Sequence, residues 1–203
     1  MRPELEIYSD FNCTWCYFDK PVIADLVKQY EIEIRWRAFP LHPDIPEGGM
    51  PIIELFGYNE PLMAEKMGVL EGKAAALGLP LAKRTMISDS RPAQELGKWA
   101  ETLGHCDAFR EAVYTAYFGK GLDIADLTVL ADIAQEAGLP GDDAVKVIDA
   151  QTFGEEVEAD WEKSEKLAVM VAPTYIMNGQ RLAGSQSFEA LEQMMIRNGA
   201  PRR

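Results

Sequence analysis

Two cysteines separated by two residues, Cys13-Thr14-Trp15-Cys16, carry the sharpest chemical signal in this chain. On the first turn of a helix this spacing lets two sulfurs meet at disulfide distance. The unpaired N–H groups and partial positive charge of a helix start favour a thiolate at the first position. In that geometry the first sulfur is exposed and the second tucked inside. Cys13 is therefore the expected attacking thiolate and Cys16 the resolving thiol, which releases the partner from a mixed disulfide by exchange. The same spacing is half of many zinc sites. Zinc would need two more ligands, and His42, His105 and Cys106 are the only other His and Cys residues. Adjacent His105 and Cys106 are poorly placed to reach one metal, so no metal site is expected. Two unreactive buried thiols form the bland alternative.

Other residues carry weaker signals. Pro173 follows the apolar run Leu167–Pro173 and opens a hairpin. A cis X-Pro bond there would make a tight turn beside the disulfide and leave Ala172 free to pair with substrate backbone. An edge-strand proline is an equal reading from the residues alone. Trp15 is either an apolar contact for substrates or a half-buried packing residue. Cys106 reads as a buried small side chain, and His42 as a solvated histidine in a Pro-rich loop.

The elements that must position the pair follow from periodicity. Glu4–Tyr8 alternates polar and apolar residues, as a short strand does, and Ile32–Phe39 does so again. Between them the apolar positions from Thr14 to Tyr30 fall at helical spacing, with Pro21 expected to bend the helix. This β–α–β unit implies parallel strands. An irregular Pro/Gly loop follows, from Pro40 to Pro51. Helical patterns then cover Leu62–Leu77, Pro92–Leu103, Ala108–Phe118, Thr128–Ala137, Asp142–Ala150 and Glu155–Leu167. Ser90 and Asp126 stand at cap positions, and Gly104 and Gly138 at helix stops. Thr174–Met177, Asn178-Gly179 and Gln180–Ala183 make a two-residue hairpin, and Ser187 caps a last helix over Phe188–Arg197. The expected architecture is α/β. A split β-α-β … β-β-α domain, residues 1–40 and 168–203, carries a large all-helical insertion, residues 41–167.

Composition narrows the partners. With 33 acids against 20 bases the net charge is −13, and such a surface repels nucleic acid and anionic membranes. No apolar run approaches the roughly 20 residues a membrane span needs. The first ten residues hold three acids and no signal-peptide core. A cytoplasmic protein is expected, and there a close cysteine pair is catalytic or metal-binding rather than structural.

Ser9-Asp10-Phe11-Asn12-Cys13-Thr14-Trp15-Cys16-Tyr17 resembles the active-site segment of the DsbA-like thioredoxin-fold family, most closely its FrnE-like cytoplasmic branch. Trp36-Arg37-Ala38-Phe39-Pro40-Leu41 with Pro43 resembles the second strand and loop of that branch. Ala116-Tyr117-Phe118 with Gly121-Leu122-Asp123-Ile124 is similar to part of its helical insertion. Ala172-Pro173-Thr174-Tyr175 and Gly184-Ser185-Gln186 resemble its cis-proline loop and the stretch after the hairpin. The resemblance implies a thioredoxin-like fold with a helical insertion, a cis proline at Pro173, and thiol–disulfide exchange without a separate cofactor. Two departures stand out. Val171-Ala172-Pro173 replaces the usual Gly-Val-Pro approach, and Thr14 stands where proline is common. The implied partners are thiol- or disulfide-bearing proteins or small molecules, with glutathione a candidate electron donor or substrate and a homodimer compatible. Two competing readings are a glutathione-dependent transferase or isomerase of the kappa or 2-hydroxychromene-2-carboxylate type, and a non-redox binding or holdase protein. The isomerase group generally places serine at the first active-site position, where this chain has Cys13.

Overall fold

The computed structural model describes residues 2–203. They divide into two compact units, one holding the chain up to Leu41 together with Ala159–Arg203, the other His42–Glu158. The chain begins with β1 (Glu4–Ser9), α1 (Thr14–Phe18), α2 (Lys20–Gln29) and β2 (Glu33–Ala38). Then come β3 (Met50–Pro51), α3 (Ile52–Phe56), α4 (Glu60–Ala76), β4 (Met86–Ile87), α5 (Arg91–Thr102), α6 (Cys106–Tyr114) and a π-helical turn, Thr115–Gly119. The remainder is α7 (Leu127–Glu136), α8 (Gly141–Asp149), α9 (Gly154–Lys166), β5 (Thr174–Met177), β6 (Gln180–Ala183) and α10 (Phe188–Arg197).

The first unit is built on a four-stranded sheet in the order β2-β1-β5-β6. β1 and β2 run parallel, Leu5 opposite Ile34 and Ile7 opposite Trp36, while β5 is antiparallel to both β1 and β6. Alternation in β1 sends Leu5 and Ile7 to one face. There they meet Ile23 and Leu26 of α2, Met177 of β5, and Leu191, Met194 and Met195 of α10 in one buried cluster. Burying each such side chain contributes about 1.5–3 kcal/mol. Asn178 (φ 47°) and Gly179 (φ 80°) supply the two left-handed residues of the hairpin turn. Ser187 caps α10 by accepting from the Ala190 N–H.

The helical stretch expected from Thr14 to Tyr30 is two helices rather than one bent helix. α1 ends at Asp19, and Pro21 occupies the first turn of α2, where its missing N–H leaves no donor unsatisfied. Ser90 precedes α5 but its side chain makes no cap bond; Asp89 instead accepts from the Arg91 N–H at 2.9 Å. Asp126 caps α7 through the N–H groups of Thr128 and Val129.

In the second unit α7 packs on α8, and α5 packs on α6 and α8. Its core includes Leu96, Phe109, Val113, Phe118, Leu130 and Ile133. The region is not purely helical, because β3 and β4 pair antiparallel, Met50 with Ile87 and Pro51 with Met86. Gly49 permits this small sheet. It has φ +72°, and a Cβ there would sit 2.7 Å from the Ile87 carbonyl oxygen.

Candidate active site

Cys13 is the N-cap of α1, in extended backbone geometry (φ −79°, ψ 108°). Its Sγ accepts a hydrogen bond from the Cys16 backbone N–H at 3.3 Å, so the helix start is aimed at this sulfur. The Cys13 thiol in turn donates to the Ala172 carbonyl oxygen at 3.2 Å. Residues 159 positions apart thus meet, and the structure brings together Cys13, Cys16 and the Ala172–Pro173 step. The Ala172–Pro173 peptide bond is cis, as the resemblance implies. Trp15, on the same helical turn, is 44% exposed and meets Phe18 edge-to-face at 6.0 Å.

The loop entering α1 is held by Asp10, a buried residue whose carboxylate accepts from the Asn12 N–H at 2.8 Å and the Leu41 N–H at 3.0 Å. Its carbonyl accepts from the Cys13 N–H at 3.1 Å. One side chain therefore fixes the approach to the cysteine pair and ties it to the exit of β2.

Both cysteines are free thiols and both are buried, Cys13 at 2% and Cys16 at 4% exposure. The expected contrast of one exposed and one hidden sulfur is absent, because the Ala172 carbonyl covers Cys13. What distinguishes Cys16 is its surroundings. Burial pushes its thiol well above the ordinary value, and the neighbouring Cys13 sulfur pushes it further. The Asp10 backbone and the Ser9 hydroxyl offset this in part by hydrogen bonding toward the sulfur.

Asp19, three residues beyond Cys16, is 2% exposed. Its carboxylate accepts from the Tyr175 hydroxyl, the Ser185 hydroxyl and, at 3.3 Å, the Gln186 N–H. Ser9, Asp10, Asp19 and Tyr175 were not singled out from the sequence as site residues. The usable signal for Asp19 was its place two residues before Pro21, where a helix starts and its predecessor must stop.

The remaining candidates belong to the second unit. His42 is half-buried rather than solvated, edge-to-face with Phe56 at 5.7 Å, and burial lowers its pKa. Cys106, the first residue of α6, is partly exposed, and burial of its sulfur raises its pKa. Among the described residues no three His, Cys, Asp or Glu side chains are placed to hold a metal ion, and no helix is long and apolar enough to cross a membrane.

The DSBA-like thioredoxin domain matches residues 4–195, nearly the whole chain. The chain belongs to that family. Among solved structures, this DSBA-like protein is similar to the probable DsbA oxidoreductase SCO1869 of Streptomyces coelicolor, with a TM-score of 0.87 and 23% identity over 97% of this chain and 90% of the other. A 2-hydroxychromene-2-carboxylate isomerase aligns with a TM-score of 0.77 and 17% identity, covering 96% and 95%. The cytosolic disulfide reductase DsbM of Pseudomonas aeruginosa, in a structure with GSH, aligns with a TM-score of 0.67 and 22% identity, covering 96% and 99%. At these identities the likenesses establish the DSBA-like fold.

Proposed function

We propose that this DSBA-like protein is a thiol–disulfide oxidoreductase in which Cys13 attacks and Cys16 resolves. The observation that carries the reading is the joint placement of the Cys13 sulfur, against the Cys16 N–H at the start of α1 and against the Ala172 carbonyl. The Cys13 thiolate attacks one sulfur of a substrate disulfide, forming a mixed disulfide and expelling the other sulfur as a thiolate. Cys16, deprotonated, then attacks the Cys13 sulfur. A Cys13–Cys16 disulfide forms, the second substrate thiolate leaves, and two electrons have passed from the pair to the substrate. Run backwards, the same steps oxidise a dithiol. Trp15 and the Ala172–Pro173 loop are the substrate contacts, one apolar and exposed, the other offering backbone. Glutathione fits as electron donor or substrate, in keeping with DsbM having been solved with it. The reading places the protein in the cytoplasm.

A glutathione-dependent isomerase on this fold would leave Cys16 without a task. Two variants decide between these readings. Cys16→Ser should accumulate a mixed disulfide with a peptide disulfide, visible on a non-reducing gel and by mass spectrometry, whereas Cys13→Ser should form none. Accumulation in Cys13→Ser alone would reverse the roles. Full turnover in both would remove the pair from the active site.

A further inference from the structure

We propose that Asp19 is a positioning residue for substrate, its buried carboxylate fixing the Ala172–Pro173 loop against Cys13. The inference rests on the oxidoreductase reading and extends it to a residue outside the cysteine pair. Asp19 sits where α1 gives way to α2, with α-helical backbone angles (φ −82°, ψ −4°), so its own position is set by the helix that begins at Cys13. It makes no cap bond to α2. Instead its two oxygens receive the Tyr175 hydroxyl, the Ser185 hydroxyl and the Gln186 N–H. Tyr175 is fully buried in β5, opposite Ile7, and lies two residues beyond Pro173. Ser185 and Gln186 follow β6, whose first residue after the strand, Gly184, donates its N–H to the Pro173 carbonyl at 2.8 Å. The loop that touches Cys13 through the Ala172 carbonyl is therefore braced on both sides, and both braces end on one carboxylate.

Replacing the carboxylate by a methyl group would leave a buried phenol and a backbone N–H without their acceptor, a loss severe enough to shift the loop. An amide, in contrast, can keep all three links. With its oxygen toward Tyr175 and Gln186, its nitrogen faces Ser185, whose hydroxyl can accept as well as donate. The geometry thus separates a positional role from one that depends on negative charge.

The test compares wild type, Asp19→Ala, Asp19→Asn and Tyr175→Phe on a disulfide-bridged peptide and on the small reagent dithionitrobenzoate, with the rate of Cys13 alkylation by iodoacetamide as a further readout. Expected is a rise of about tenfold in KM for the peptide in Asp19→Ala, with kcat within about twofold and no slowing with dithionitrobenzoate. Alkylation of Cys13 should quicken as the shifted loop withdraws the Ala172 carbonyl from its thiol. Asp19→Asn should recover the peptide KM. Tyr175→Phe, which keeps the buried ring, should show a smaller rise of the same kind and serves if Asp19→Ala does not fold. The proposal is overturned if Asp19→Ala and Tyr175→Phe leave the peptide KM unchanged, if peptide and small reagent slow together, or if Asp19→Asn behaves like Asp19→Ala. A wild type no more active than Cys13→Ser would overturn the oxidoreductase reading, and this proposal with it.

Discussion

Cys16 sits where a thiolate is disfavoured, and the causes do not all persist through a reaction cycle. In the mixed disulfide Cys13 no longer carries charge or a proton, so its contribution to raising Cys16 is gone, while burial remains. Resolution should then quicken with pH up to and beyond the ordinary thiol value of about 8.5. Single-turnover release of the second product from pH 6 to 10 checks this; a flat profile would show that Cys16 is not the resolving group. The same shift bears on stability. A thiol whose folded value is raised keeps its proton when the unfolded chain has lost it, so its contribution is present below about pH 8.5 and is lost as pH rises further. The fully reduced protein should therefore become easier to unfold with urea between pH 8 and 10, and Cys16→Ala should weaken that trend. At this scale the cysteine pair was legible from its spacing, whereas the cis proline at Pro173 was implied by the family resemblance, an edge-strand proline being an equal reading of the residues alone. The sequence concealed Asp10, Asp19 and Tyr175, whose importance lies in bonds such as that between positions 19 and 175, which no local pattern encodes.

The elements were readable where local chemistry is decisive. Asn178-Gly179 fixed a two-residue hairpin, Asp126 and Ser187 capped their helices, and Gly104 and Gly138 stopped theirs with φ of 75° and 85°. α3 and the β3–β4 pair were missed, being five and two residues long, too short for a period to show. The division between the two compact units falls within α9, after Glu158. Beyond that point Asp160 accepts from Arg37 at 3.1 Å and from the Ala38 N–H at 2.9 Å, and Lys163 pairs with Glu6. Arg37 closes the network by donating to Glu6 from Nε at 2.7 Å. Burial pushes Glu6 up, but the hydrogen bonds from Lys163 and Arg37 more than offset this and leave its carboxyl below its ordinary value. Asp160 and Glu6 have side chains only 5% and 14% exposed, so truncating Arg37 removes a cation from both, leaving Lys163 on Glu6 and the Ala38 N–H on Asp160. Arg37→Ala should cost about 2 kcal/mol in urea unfolding at pH 7. The deficit should shrink as pH falls through the carboxylate range, since protonation removes the negative charge that Arg37 balances. A loss below about 1 kcal/mol would mean the network adds little to holding α9 on the sheet.

For the molecule as a whole, the net charge of −13 acts at distances where individual hydrogen bonds do not. α1, from Thr14 to Phe18, carries no charged residue, and the carboxylates of Asp10 and Asp19 are buried and hydrogen-bonded. α1 thus brings no charged side chain of its own to the entrance, and the summed field of the protein should govern the approach of a charged substrate. Oxidised glutathione is an anion at neutral pH and is repelled; a disulfide-bridged peptide rich in lysine is attracted. Salt screens both, since the Debye length falls from about 30 Å at 0.01 M to about 8 Å at 0.15 M. Between those two salt concentrations kcat/KM should rise several-fold with oxidised glutathione and fall several-fold with the lysine-rich peptide. A neutral peptide disulfide should change little, which separates screening from any effect of salt on the cysteine pair itself. The opposed slopes are the discriminating result. If both charged substrates respond in the same direction, the acidic surface has no part in selecting partners, and selection rests on Trp15 and the Ala172–Pro173 loop alone.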